Sequence, residues 1–298
     1  MKYLESFTFA SEADELDFFF SLSKLDMSCY DMNNAYPFHI FPKKKLKRLD
    51  FEPITVLYGT NGSGKSTALN VIAEKLGISR SAPFNNAPCM KDYTNLCRYE
   101  TADRRVGIPK SSEIITSDGV FDLLLDVRAI NEGIDRKREE LLNEYDSIKA
   151  DCRDNGWQMS SLSEYEELKR RNEVRLRSKS SYTSGRLNIR ESRIKSNGES
   201  AYLYFTEKIR DNSLYLLDEP ENSLSPGLQA ELAGFLFEAV RFFNCQLIIS
   251  THSPFLLSIP GAAVYDLDSV PVRVRKWTEL PNVRSYYELF KSHMSEFE

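Results

Sequence analysis

The stretch YGTNGSGKST, Tyr58 to Thr67, restricts the fold more than any other part of the chain. Gly59, Gly62 and Gly64 let the backbone enter conformations closed to other residues, so successive N–H groups can curl into a concave cradle. The preceding PITVLYG is rich in β-branched and aromatic residues and reads as a strand. The following STALNVIAEKLG carries apolar residues at helical spacing and closes on a glycine, so it reads as a helix. Strand, glycine loop and helix in this order satisfy G-x-x-x-x-G-K-[ST] through Gly59, Gly64, Lys65 and Ser66. A helix N-terminus behind such a loop attracts anions. We expect Asn61, Gly62, Ser63, Gly64, Lys65, Ser66 and Thr67 to hold the phosphates of a nucleotide, with Lys65 reaching the β and γ phosphates and Ser66 ligating Mg²⁺.

Phosphate binding alone does not give hydrolysis, which also needs an oriented water. LYLLDEPENSLSP, Leu214 to Pro226, supplies two acids at the end of an apolar strand. Asp218 is suited to hold Mg²⁺, and Glu219 beside it to polarise the attacking water. In a mostly parallel sheet, topology rather than sequence adjacency would bring these acids to the glycine loop.

The bulk numbers exclude more than they assign. At 298 residues, 41% apolar and 28% charged, the chain can bury a substantial core, and a formal charge of −5 names no partner. The apolar runs are shorter than the roughly 20 residues of a membrane span, and the acidic start does not read as a secretory signal. The five cysteines (Cys29, Cys89, Cys97, Cys152, Cys245) are scattered and odd in number, which reads as reduced buried thiols and a cytoplasmic location.

KYLESFTFA and PFHIFP also read as strands. Residues 82–118 offer only loops and short elements. GVFDLLLDVRAINEG turns helical, and Ile134, Leu141, Tyr145, Ile148 and Cys152 follow at heptad-like spacing. With a turn at DNGW and a charged helix LSEYEELKRRNEVRLRSKS, this predicts a short helical hairpin inserted over 129–195 between 1–128 and 196–298. Tyr165 to Lys195 carries ten Lys or Arg against four Glu, either a solvated face or a docking surface for DNA or RNA. After Ser196, helices alternate with the strands SLYLLDE, CQLIISTH, AAVYDL and VPVRVRKW, which means a mostly parallel sheet covered on both faces. The expected fold class is therefore α/β, with antiparallel strands near the N-terminus.

The motifs GTNGSGKST, SNGES, LYLLDEPENSLSP and IISTHSP, in that order, resemble those of the ABC-type ATPases. The soluble branch that contains chromosome-maintenance and recombination-repair ATPases is the nearest, and within it the short stand-alone bacterial AAA family ATPases. The resemblance spans residues 38–274 apart from the helical insertion. It implies a homodimer closed around two ATP molecules, with slow hydrolysis in the absence of a partner. It further implies that Ser196, Gly198 and Glu199 form the signature that contacts the γ-phosphate bound by the other subunit. ENSLSP would be the loop that crosses the dimer interface, and His252 the switch histidine that senses the γ-phosphate.

The sequence departs from the family in three places: Asn197 within the signature, Ser225 in the interface loop, and no glutamine between Lys65 and Trp157. Asp118 is the candidate for the duty of the missing glutamine, with Gln158 too far along. The output of such an ATPase stays open among three classes: a soluble motor or switch acting on nucleic acid or on a nuclease or other effector, as in anti-phage defence; the ATPase subunit of a membrane transporter; and an ATP-gated module that holds a toxin inactive.

Overall fold

The computed structural model describes residues 1–22, 35–80, 89–103, 105–154, 165–187 and 197–297. Contacts group them into two compact units, residues 1–122 with 195–298, and residues 123–194.

The first unit is built on two sheets. Five-residue β3, Ile54–Tyr58, is buried along its whole length, which is what an unbroken β-branched and aromatic run permits when both faces are covered. It pairs in parallel with β8, Gln246–Thr251, and on its other side with β9, Ala263–Asp266. Beyond β8 lie β7 (Leu214–Asp218), β6 (Glu113–Thr116) and β4 (Ser79–Arg80), all parallel. β10, Arg273–Arg275, closes the far edge antiparallel to β9. The smaller sheet is antiparallel, with β1 (Leu4–Thr8) between β2 (Arg48–Asp50) and β5 (Arg98–Thr101). Gln246, wholly buried in β8, joins the two sheets: its Oε1 accepts from the backbone N–H groups of Tyr3 and Leu4, and its Nε2 donates to Leu4 O. The fold is thus the α/β class that the alternation of elements implied.

Two readings of the sequence are corrected here. PFHIFP is not a strand. His39 has φ +65°, in the left-handed region, and its N–H donates to the Glu15 carboxylate at 3.0 Å instead of to a neighbouring strand; Ile40–Lys43 then forms one helical turn. β6 lies inside the parallel sheet, between β7 and β4, although residues 82–118 offered no clear strand. Only Ile114 and Ile115 of its four residues are apolar and fully buried, too short a signal for periodicity to separate from a loop.

Glu15 lies wholly buried in the helix Glu12–Ser21, whose N-cap is Ser11. Its Oε2 faces both the backbone N–H and Nδ1 of His39 at 3.0 Å, while Oε1 has no partner among the described residues. Burial pushes this carboxyl up to about 7, with Glu12 and Asp14 on the same helix adding to the shift. From the helix Met90–Leu96 and its end, the Tyr93 hydroxyl and Cys97 thiol also face it, and burial holds both of them neutral. A carboxyl raised on folding stabilises fully below its unfolded value and loses that contribution as pH rises through its folded value. Glu15→Gln keeps an acceptor for the His39 N–H without the charge. It is expected to raise stability by on the order of 3 kcal/mol at pH 8 and by little at pH 4.5. Denaturant unfolding at the two pH values measures this, and an equal effect at both would refute it.

The second unit begins within the long helix Ser117–Asp154. Leu141, Tyr145 and Ile148, three of the heptad-like positions, pack with Val174 and Tyr182 into a separate small core. The charged return stretch is two helices, Tyr165–Leu176 and Lys179–Leu187, rather than one. Ser178 separates them, its hydroxyl accepting from Ser181 N–H and its carbonyl from Tyr182 N–H, the backbone-competing habit of serine at a helix start. Residues 155–157 of DNGW, Cys29 and Gln158 lie outside the described residues. None of the described helices is long and apolar enough to cross a membrane.

Candidate functional site

The register of three neighbouring strands assembles the site. Tyr58, at the end of β3, stands opposite Thr251 of β8, and Ser250 of β8 stands opposite Asp218 of β7. The glycine loop, both acids and His252 therefore leave the sheet at one edge, the carboxyl edge where open parallel sheets take their ligands.

In the loop, Gly62 and Gly64 have φ of +81° and +92°, and the helix Lys65–Leu76 starts at once. Gly59 is required for a different reason: a Cβ there would lie 2.3 Å from Ser63 Oγ. Thr60 is held at the mouth by Asp268, which accepts from its N–H at 2.9 Å and its hydroxyl at 3.0 Å. Asn61 and Gly62 are exposed, Ser63 is buried with no partner for its hydroxyl among the described residues, and Thr67 sits half-buried in the first turn of the helix. Lys65 is buried to 4% exposure, a costly place for an ammonium. It donates to Gly59 O at 2.8 Å and Thr60 O at 3.2 Å, and lies 3.3 Å from Glu219 Oε1. These contacts bend the lysine across the cradle.

Ser66 donates to Asp218 Oδ1 at 3.0 Å, and the Ser250 hydroxyl donates to the same oxygen. Burial pushes the Asp218 carboxyl up, and the two hydroxyls pull against that shift. A desolvated carboxylate next to a serine hydroxyl is an all-oxygen set that suits a small hard dication such as Mg²⁺.

Glu219 follows directly but turns away from its neighbour, because its backbone leaves the strand at φ +47°. That turn is secured by Ser250, whose carbonyl and hydroxyl both accept from Glu219 N–H at 3.0 and 3.1 Å. Its carboxylate lies between Lys65 on Oε1 and Asn222, which donates to Oε2 at 3.2 Å. His252, its side chain half-exposed, places Nδ1 3.3 Å from Glu221 Oε1, and its carbonyl accepts from Asn282 at 2.9 Å.

Gly198 and Glu199 lie in the first turn of the helix Asn197–Lys208; Ser196 lies outside the described residues. A Cβ on Gly198 would come within 3.1 Å of Leu228 Cδ1 and 3.3 Å of the Ser223 carbonyl. Gly198 thus lies against Ser223 of the ENSLSP loop. Ser225 caps the helix Pro226–Phe242, accepting from Leu228 N–H. Asp118 is exposed, two residues beyond Thr116, which stands opposite Asp218 across β6 and β7.

Sequence reading missed Ser250, Asp268, Glu221 and Asn222. For Asp268 a signal existed, since an acid just past a strand of a parallel sheet reaches the same edge as the other loops. For Ser250, a serine within an apolar strand, only the register reveals its partner.

Four of the seven described Lys and Arg of the basic stretch face a carboxylate. Arg170 lies 3.7 Å from Glu144, Arg171 3.2 Å from Glu167, Arg186 3.1 Å from Glu173, and Lys179 2.5 Å from Asp146. Cations already matched by carboxylates release fewer counterions on meeting a phosphate backbone. Of the two alternatives, this favours the solvated face.

A family described as "AAA domain, putative AbiEii toxin, Type IV TA system" matches residues 156–258, which include Asp218, Glu219 and His252 but not the glycine loop. No curated protein matches the chain. Among solved structures, the chain is similar to an inward-facing metal-chelate type ABC transporter at 17% identity, covering 79% of this chain and 78% of that one, with a TM-score of 0.37. It is also similar, at 14% identity and a TM-score of 0.33, to a bacterial ABC transporter cassette solved as a dimer; 77% of this chain and 88% of that one are covered. The same cassette in a post-hydrolysis state bound to ADP and Pi matches with the same figures.

Proposed function

We propose that this protein binds ATP with Mg²⁺ and hydrolyses it to ADP and phosphate, and that two copies close around two ATP molecules to control an effector. The observation that carries the reading is the convergence of Lys65, Ser66, Asp218 and Glu219 at one sheet edge, through contacts of 3.3 Å or less.

Each group has a task that its surroundings fit. The loop N–H groups and the helix start at Lys65 receive the β and γ phosphates. Lys65 exchanges its carbonyl contacts for phosphate oxygens, a charge-assisted bond in place of neutral ones. Ser66 and Asp218 would hold Mg²⁺, which when bound neutralises charge on the phosphate oxygens. Glu219, steadied by Asn222, accepts the proton of the attacking water as the water oxygen bonds to the γ-phosphorus and the bond to the β-γ bridging oxygen breaks. His252 approaches the γ-phosphate.

Gly198 on the Ser223 carbonyl supports the two-copy reading. It puts the start of the helix Asn197–Lys208 beside the loop after the acids, an arrangement suited to meeting the nucleotide of a second copy. For the effector, the matched family description speaks for a toxin–antitoxin setting, and the paired basic helices speak against direct nucleic-acid docking. A nuclease or toxin under ATP control is thus favoured over a transporter subunit.

The direct test is phosphate release by the purified chain with ATP and Mg²⁺, together with its mass in solution with and without a non-hydrolysable analogue. We expect slow, Mg²⁺-dependent release and a doubling of mass with the analogue. No release with any divalent cation would overturn the activity, and an unchanged mass would overturn the shared site.

A further inference from the structure

Glu221 is a buried carboxylate for which the mechanism above has no use. Two residues past Glu219, with its side chain 4% exposed, it turns one oxygen to the chain end of β8. Oε1 accepts from Thr251 Oγ1 at 2.5 Å, from the backbone N–H of His252 at 2.9 Å and from that of Ser253 at 3.3 Å. The same oxygen lies 3.3 Å from His252 Nδ1. Oε2 is buried with no partner, and among the described residues no lysine or arginine pairs with this carboxylate. A buried carboxylate is costly without a compensating partner, so it calls for a reason. Two neutral amides also stand beside the pair: Gln229, whose Oε1 accepts from Ser253 Oγ at 2.7 Å and whose Nε2 donates to Leu224 O at 3.0 Å, and Asn282 on the His252 carbonyl.

We propose that Glu221 is the positioning residue of His252, fixing both the strand-end backbone and the ring, so that Nδ1–H is committed to Glu221 Oε1 and Nε2 is presented to the γ-phosphate. Oε1 already accepts from Thr251 and from two backbone N–H groups, so the nitrogen facing this acceptor must carry the hydrogen. One oxygen thereby sets the position of residues 251–253 and the tautomer of the ring, as outer partners do for imidazoles in metal sites. Gln229 extends the arrangement. It ties Ser253 to Leu224, so the loop following the acids and the histidine segment are linked through one side chain.

The proposal rests on the ATPase reading, and its test separates the two. Glu221→Gln keeps a carbonyl for both backbone N–H groups and the Thr251 hydroxyl. Its amide can also turn an NH₂ towards the ring, so the tautomer is no longer fixed. In the full-length chain, nitrogen NMR of the ring, assigned through loss of the signal in His252→Gln, should show Nδ1 protonated in the wild type and mixed tautomers in Glu221→Gln. The variant's kcat should fall roughly 10–100-fold, the range for a partner that orients an imidazole, with KM for ATP changed less than about 2-fold. Wild-type His252 protonated at Nε2 alone overturns the proposal, and needs no variant to fold. So does Glu221→Gln with wild-type kcat, or with a loss confined to KM. A wild-type chain that releases no phosphate from ATP with any divalent cation would instead overturn the ATPase reading and leave the tautomer result standing.

Discussion

Glu219→Gln is expected to lower kcat for ATP hydrolysis by about 10²–10⁴-fold, the usual contribution of a positioned general base, while ATP affinity stays within about 2-fold. Glutamine has the volume of glutamate and retains an oxygen for Asn222, which donates to Glu219 Oε2 at 3.2 Å. The backbone anchor to Ser250 is also untouched, so the turn at φ +47° survives. What is lost is the acceptor for the water's proton, together with a negative charge 3.3 Å from Lys65. Losing that charge removes a competitor for the lysine, so ATP should stay bound longer. With ATP and Mg²⁺ present, the variant should elute as a stable dimer in size-exclusion chromatography. A rate within 10-fold of wild type would show that Glu219 is not the base.

Lys65→Ala should weaken ATP binding by 100-fold or more. One charge-assisted bond from a buried ammonium to phosphate is worth about 1.5–3 kcal/mol, and a lysine that meets two phosphates supplies more than one. The folded state should survive, because the lysine's partners in the free protein are the carbonyls of its own loop, Gly59 and Thr60, and the Glu219 carboxylate, which keeps its bond from Asn222 when the lysine is removed. Titration with a fluorescent ATP analogue measures the affinity, and circular dichroism checks the fold. Unchanged affinity in a folded variant would place the nucleotide elsewhere.

Most of the architecture was legible because it is written in local chemistry. The glycines of the loop, the apolar run of β3 and the periodicity of the helices around it each report the conformation that their own residues prefer. What escaped was decided by contacts far along the chain. Ile40–Lys43 looks strand-like by composition, and its turn is fixed by Glu15, which captures the N–H of His39. β6 is a strand because neighbours on both sides pair with it, not because of its own four residues. The same holds for the site. Lys65 and Ser66 can be read from a motif, whereas the Ser250–Asp218 contact exists only through the pairing of β7 with β8.

The central position of β3 also has a bearing on biosynthesis. Both strands that flank it, β8 and β9, come from the last quarter of the chain. A nascent polypeptide that has already made its glycine loop therefore has no neighbours on which to lay the strand beneath it, and no Asp218 or Glu219 to complete it. The loop should therefore gain its supporting sheet late and all at once, as the C-terminal strands emerge.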